Sequence, residues 1–303
     1  MNKTLAAIIV IIVVLLAAGG AYYFATRGPS VTPAVPAETA TTTMPEATTT
    51  ATTTADNGTE TIGTSVQGRA ITAYHYGTGS DEILFVGGIH GGYESNTSLV
   101  AYQLMDYLDA NPNAIPANER VTVIPDLNPD GTAKVVGTDG RFSASDVPSD
   151  LASTIPGRYN GNGVDLNRNF DCDWQATGTW QNTSVNGGTS AFSEPESQAI
   201  RTYVGSHSLK AVIVWYSAAG GVYASNCHNG VLPETQTLTD LYAKASGYPA
   251  HASYDYYEIT GDMVNWLAKQ GVPGISVLLT DHTSTEWSKN QAGVDAVLAH
   301  YAQ

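Results

Sequence analysis

His90 and Glu94 stand four positions apart, directly after the apolar run Ile83–Val86 and the glycines Gly87 and Gly88, in the stretch ILFVGGIHGGYE. A short apolar run bounded by glycines reads as a buried strand. The helical pattern Leu99, Tyr102, Leu104, Met105 and Leu108 follows it. The spacing therefore puts an imidazole and a carboxylate at a strand end and a helix start, where open α/β sheets place ligands. Such a pair makes two of the three protein ligands of a catalytic zinc. It equally describes a core histidine beside a solvated glutamate. A second concentration of polar chemistry is Asp165-Leu166-Asn167-Arg168-Asn169, just beyond Arg158. Arginine can clamp a carboxylate bidentately and asparagine can donate beside it. A polar surface loop would have the same composition.

The elements that must hold these residues alternate. Strands are expected at Ile71–Tyr76, Ile83–Val86, Val121–Ile124, Ala211–Trp215 and Gly274–Leu279, from period-two or fully apolar runs. Helices are expected after Glu94 and at Ser193–Val204, Leu238–Ala245, Asp262–Gln270 and Ala292–Tyr301. Ser193 and Glu196 have capping-box spacing, with Pro195 tolerated in the first turn. Asn128-Pro129-Asp130-Gly131 is a turn signal. Strands alternating with helices point to an α/β sheet covered on both faces.

Three segments divide the chain. Residues 1–28 contain Leu5–Phe24, twenty residues without a charge, long enough to span a bilayer as an anchor. Residues 29–57 are nearly all Thr, Ala, Pro, Glu and Ser and read as a solvated stalk. Residues 58–303 suit one large α/β domain or two small ones. These expectations place the domain outside the cell, attached to the membrane by the N-terminal helix, or secreted if the anchor is cleaved. With 13 Lys and Arg against 28 Asp and Glu the net charge is -15, which argues against nucleic acid as a partner. The two cysteines, Cys172 and Cys227, read in an exported domain as one disulfide or as two buried thiols.

In this order the motifs resemble the zinc carboxypeptidases, the carboxypeptidase A and carboxypeptidase T relatives, over nearly the whole of 60–303. They run GGIH…E, NPDG, R-x-N-x-x-G-V-D-L-N-R-N, S-E-P-E, a strand with a serine turn, a tyrosine before a glycine, and a last strand. The resemblance implies a mixed, mostly eight-stranded twisted sheet flanked by helices. The reaction it implies is removal of a C-terminal residue from peptides by zinc-activated water. His90 and Glu94 would be the first two zinc ligands, although three residues separate them where the commonest family spacing has two. Asp165 would orient the ligand histidine. Arg158 would polarise the scissile carbonyl. Asn167 and Arg168 would grip the free C-terminal carboxylate of the peptide, and Tyr257 would close over it. Val264 falls where the family sets side-chain preference, which favours an apolar terminal residue. The fold it implies brings the loops of Cys172 and Cys227 to one sheet edge, so a disulfide between them is expected.

Two positions depart from that pattern. The third zinc-ligand histidine falls at Tyr216, and the glutamate that takes the proton from water falls at Leu278. A phenol with an ordinary pKa of about 10 is a poor ligand at neutral pH, and leucine moves no proton. One zinc ion, weakly held, is the cofactor the resemblance leaves. His228 or His282 could replace the ligand, and Glu286 or Glu258 the base; for each histidine a surface or supporting place is the plainer reading. Three functions follow: a hydrolase with a rescued site, a silent module that binds peptide C-termini, or a stalked adhesion domain.

Overall fold

A computed structural model describes residues 58–302. The expected anchor and stalk, at 1–28 and 29–57, lie outside the described residues. No helix among the described residues is long and apolar enough to cross a membrane.

The chain opens with β1 (Thr59–Thr64), β2 (Ala70–Tyr76) and β3 (Asp81–Val86), followed by helix α1 (Ser95–Ala110). Next come β4 (Glu119–Ile124) and α2 (Pro129–Val136). A long irregular stretch leads to the hairpin β5 (Thr177–Trp180) and β6 (Thr183–Asn186), then α3 (Pro195–Ser206). The second half runs β7 (Leu209–Ser217), β8 (Gly221–Ala224), α4 (Pro233–Ser246), β9 (Ala250–His251), α5 (Met263–Lys269), β10 (Gly274–Leu279) and α6 (Trp287–Tyr301). Eight strands form one mixed sheet in the order β1-β2-β4-β3-β7-β10-β8-β9, and β5 and β6 pair separately. The central strands β4, β3, β7 and β10 are parallel.

Those central strands are nearly unbroken apolar runs because both sheet faces are covered. On β3, Ile83 and Phe85 pack into one core with α1, α4 and α6, while Leu84 and Val86 pack into the other with α3 and α5. Strand β7 divides likewise, with Ile213 and Trp215 on the first face and Val214 and Tyr216 on the second.

Several boundaries differ from the sequence expectation. The NPDG signal is the start of α2: Asn128 accepts from Gly131 N at 3.0 Å, Pro129 sits in the first turn, and Gly137 closes the helix in the left-handed region. Helix α3 begins one residue later than the capping-box reading, with Glu194 at the cap position and no side-chain cap bond. Glu196 turns instead to Val66 N and Asn160 Nδ2, at 3.0 Å each. Helix α6 starts at Trp287, a turn before the expected Ala292.

Cys172 and Cys227 are joined by a disulfide across a separation of 55 residues. Beside it, Gly261 N donates to Cys172 O at 2.7 Å and Phe170 N to Gly261 O at 2.8 Å. The bridge thus fastens the loop after Arg168 to the loop after β8, and the two hydrogen bonds fasten it to the segment that starts α5. Removing it by Cys172→Ser/Cys227→Ser should cost about 2 kcal/mol, the lower end for native disulfides, because the domain is large. Denaturant unfolding of the two forms checks this; equal midpoints would contradict it.

Asp126, buried at the end of β4, is pushed up to about 7 by desolvation. Its Oδ1 accepts from Asn128 N at 3.2 Å, while Oδ2 is buried without a partner. A carboxyl raised in the folded state binds its proton more tightly when folded. Its contribution to stability is therefore complete below about pH 4 and is lost as pH rises through about 7, a change of roughly 4 kcal/mol. Asp126→Asn should flatten the fall in unfolding free energy between pH 4 and pH 8. Glu119, also pushed to about 7 by burial and by Asp81, should leave a residual slope. An unchanged slope in the variant would show that Asp126 does not titrate there.

Candidate functional site

The glycines after β3 shape the turn that presents His90. Gly88 has φ +67, and a Cβ there would lie 2.6 Å from both Asp126 Oδ1 and Ser98 Oγ. Gly91 has φ +43, with Gly157 O 2.8 Å from its notional Cβ. Only glycine fits both the backbone and the space. The turn leaves His90 and Glu94 buried, facing one another across a one-turn 3-10 helix, Gly91–Glu94.

His90 Nε2 meets Asp165 Oδ1 at 3.2 Å. His90 Nδ1 lies 2.9 Å from Glu94 Oε1, but the contact lacks hydrogen-bond alignment, so Nδ1 is buried without a hydrogen-bond partner. The second oxygen of Glu94 accepts from Ser217 N at 3.0 Å. Arg158 donates from Nε and Nη2 to Asp165 Oδ2 at 3.0 and 2.8 Å, and its Nη1 lies 3.6 Å from Glu94 Oε1. The guanidinium also sits 4.5 Å from the centre of the Trp180 ring. Burial would push both carboxyls up, but the facing guanidinium and imidazole outweigh it. Arg158 and His90 hold Asp165 well below the usual carboxylate range and Glu94 below its ordinary value.

The remaining residues gather around a cavity of ≈ 590 Å³, within the range of pockets that take a small ligand. It is lined by His90, Glu94, Arg158, Asn167, Arg168, Tyr216, Tyr257, Val264 and Leu278. Asp165 stands behind this wall, with no exposed surface. Asn167 Oδ1 accepts from Met263 N at 3.1 Å and from Tyr216 Oη at 3.2 Å, which fixes the amide orientation. Among the described residues no group takes the hydrogens of its Nδ2. Arg168 donates from Nη1 to Asn167 O at 2.7 Å, and from Nε and Nη2 to Thr179 O at 3.2 and 2.6 Å. Three of its five N–H groups are thus tied to main chain, and two remain.

Tyr216 Oη donates to Asn167, and its ring lies 5.9 Å from that of His90. Desolvation, then Asp262 and Glu94, raise its phenol well above the ordinary value, so it stays protonated. Leu278 pairs with Tyr216 on the adjacent strand, so the two departures from the family pattern are neighbours on one cavity wall.

These donors do not fit a catalytic zinc, which takes three protein ligands. His90 Nδ1 and Glu94 converge as two donors would, and Asp165 supports the far ring nitrogen as an orienting carboxylate does. The third donor is lacking: Tyr216 is a buried, protonated phenol. Among the described residues no group of three or more His, Cys, Asp or Glu is arranged to hold a metal ion. Of the three donors that the expected zinc would need, the described residues bring together two, His90 and Glu94. His228 is no substitute, because it is exposed and paired with Asp173 at 2.7 Å. His282 does line the cavity, with Nε2 3.3 Å from Tyr93 Oη and Nδ1 buried without a partner. Glu258 is exposed, and Glu286 binds Thr280 and Tyr248; neither lines the cavity.

Sequence reasoning passed over Trp180, Gln181 and Asn182 at the tip of the β5–β6 hairpin, and Tyr93 and Asp262, all on the cavity wall. The hairpin turn carries Gln181 at φ +54 rather than a glycine, so the usual hairpin signature is missing.

The sequence profile of the zinc carboxypeptidase family matches residues 52–295. A γ-D-glutamyl-L-diamino acid endopeptidase of Lysinibacillus sphaericus is 25% identical over 217 residues, covering 65% of this chain and 54% of its own. Zinc carboxypeptidase A 1 of Anopheles gambiae is 26% identical over 210 residues, covering 63% of this chain and 46% of its own. The chain therefore spans about half the length of these relatives. Among solved structures, bovine thrombin-activatable fibrinolysis inhibitor superposes with a TM-score of 0.64 at 16% identity, over 80% of this chain and 89% of that one. A murein-tripeptide amidase of Escherichia coli O157 superposes with a TM-score of 0.55 at 21% identity, over 80% and 92%. These superpositions establish a shared fold. The profile match covers most of the chain, and the chain belongs to the zinc carboxypeptidase family.

Proposed function

We propose that this domain binds peptides through their free C-terminal carboxylate and does not hydrolyse them at the rates of its family. The observation that carries the reading is the pairing of Tyr216 and Leu278 on one wall, where a metal donor and a proton acceptor would be needed. The binding half of the site is retained. Asn167 and Arg168 line the cavity, Asn167 Nδ2 and two N–H groups of Arg168 are uncommitted among the described residues, and both side chains are held by main-chain partners. Such preorganisation favours a charge-assisted clamp on a carboxylate.

Arg168→Ala should weaken peptides with a free C-terminus by roughly 1.5–3 kcal/mol, the range for a hydrogen bond to a charged group. C-terminal amides should be indifferent to the change. Calorimetric titration of both peptide types checks this, and equal losses for the two would refute the clamp. A hydrolytic reading keeps one supporting observation, the unpartnered His90 Nδ1 beside Glu94. Peptide turnover by the unaltered protein would select it.

We also propose that the domain faces the outside of the cell, held by the apolar segment Leu5–Phe24 or released from it. The Cys172–Cys227 bridge supports an oxidising compartment.

A further inference from the structure

Among the described residues two asparagines open an Asn-x-Ser/Thr triplet, Asn96-Thr97-Ser98 and Asn182-Thr183-Ser184. In an exported chain such a triplet is an acceptor for an N-linked sugar, provided that the asparagine stands on the surface. The fold separates the two. Asn96, in the first turn of α1, is 1% exposed, and Ser98 is fully buried. Asn96 Nδ2 donates to Asp281 O at 2.7 Å and to Ser284 O at 3.0 Å. A sugar on that nitrogen would leave it one hydrogen for two acceptors, in a place with no room for the sugar. Asn182 has the opposite setting. Trp180 pairs with Thr183 across the β5–β6 hairpin, so Gln181 and Asn182 form its two-residue turn. Gln181, Asn182, Thr183 and Ser184 are all exposed, and no group among the described residues holds the Asn182 side-chain amide. The base of the hairpin is fixed: Thr179 O accepts from Arg168, and the Arg158 guanidinium sits on Trp180. Exposed and yet part of the cavity lining, Asn182 stands at the rim. Two further triplets, Asn2-Lys3-Thr4 and Asn57-Gly58-Thr59, have their asparagines outside the described residues.

We propose that Asn182 carries an N-linked oligosaccharide at the rim of the cavity. The inference rests on the reading above that the domain faces the outside of the cell. The donor is a lipid-linked oligosaccharide phosphate. A bond forms between Asn182 Nδ2 and the anomeric carbon of the first sugar, and the bond from that carbon to a phosphate oxygen breaks. The lipid phosphate leaves with the electron pair, and the amide gives up one proton. Ser184 supplies the hydroxyl that the triplet requires, from an exposed position on β6 opposite Thr179. The sugar chain would lose no protein hydrogen bond by its attachment, and any peptide that enters the cavity would pass beside it.

The test is peptide mapping by mass spectrometry of the full chain isolated from the cells that make it. In parallel, protease added to intact cells, and analysis of the medium, read whether the domain lies outside. The peptide that spans Asn182 should carry the added mass of a sugar chain in most copies, and the peptide that spans Asn96 should not. Ser184→Ala keeps Asn182 and every residue of the cavity wall, and it should abolish the addition; Ser184→Thr should retain it. An unmodified Asn182 in a chain found outside the cell would overturn the inference while leaving the outward-facing reading standing. A sugar mass at Asn182 that survives Ser184→Ala would overturn it as well. If the domain is neither reached by external protease nor found in the medium, the outward-facing reading falls, and this inference with it.

Discussion

Tyr216→His combined with Leu278→Glu should give the protein chelator-sensitive hydrolysis of a peptide C-terminus, while neither change alone should do so. Tyr216→His would add an imidazole beside His90 Nδ1, which is buried and unpartnered, and so complete a three-donor set with Glu94. Leu278→Glu would add a proton acceptor on the neighbouring strand, facing the same cavity. The two act at successive steps, so each is of little use without the other, and strong non-additivity is expected. General acid–base catalysis supplies about 10²–10⁴-fold, and the double variant should exceed Tyr216→His by a factor of that order. Comparing release rates for the four proteins decides the matter. Full turnover from Tyr216→His alone would show that the proton acceptor was never lost.

Arg158→Ala should be the most destabilising single change at the site, by about 3–5 kcal/mol, the range for removing one partner of a buried ion pair. Arg158 is 2% exposed and faces two buried carboxylates, Asp165 and Glu94. Without it the pair would be opposed only by His90. Arg158→Lys keeps a charge but loses the forked contact to Asp165, so it should fall between the two. Denaturant unfolding reads both variants. A loss below about 1 kcal/mol for Arg158→Ala would mean that the carboxylates are compensated otherwise. The family role expected of Arg158, polarising a carbonyl, is constrained by the same contacts, because its Nε and one Nη2 hydrogen are committed to Asp165.

The central strands were legible because burial on both faces leaves an unbroken apolar run, as in Ile83–Val86 and Gly274–Leu279. Strands β1, β8 and β9 were not: Thr59–Thr64 is mostly polar, and Gly221–Ala224 and Ala250–His251 are too short to show a period. The capping-box reading of Ser193 and Glu196 failed because local spacing cannot reveal distant partners. Asn169 takes Ser193 and Asn160 takes Glu196, each from a loop far away in sequence. At the site, residue types and motif order placed nine residues on one cavity wall. What they could not convey was commitment. That Arg158 is spent on Asp165 and that Arg168 keeps only two free N–H groups are both products of tertiary contacts.

The most direct measurement is mass-spectrometric quantification of the C-terminal residue released from a peptide free acid by the full chain, with zinc added and the peptide at saturating concentration. A silent binding site requires release at the uncatalysed background, with peptide bound and recovered intact. Release approaching that of the Tyr216→His/Leu278→Glu variant, and abolished by a chelator, would contradict it and make His282 the first side chain to test as the missing ligand.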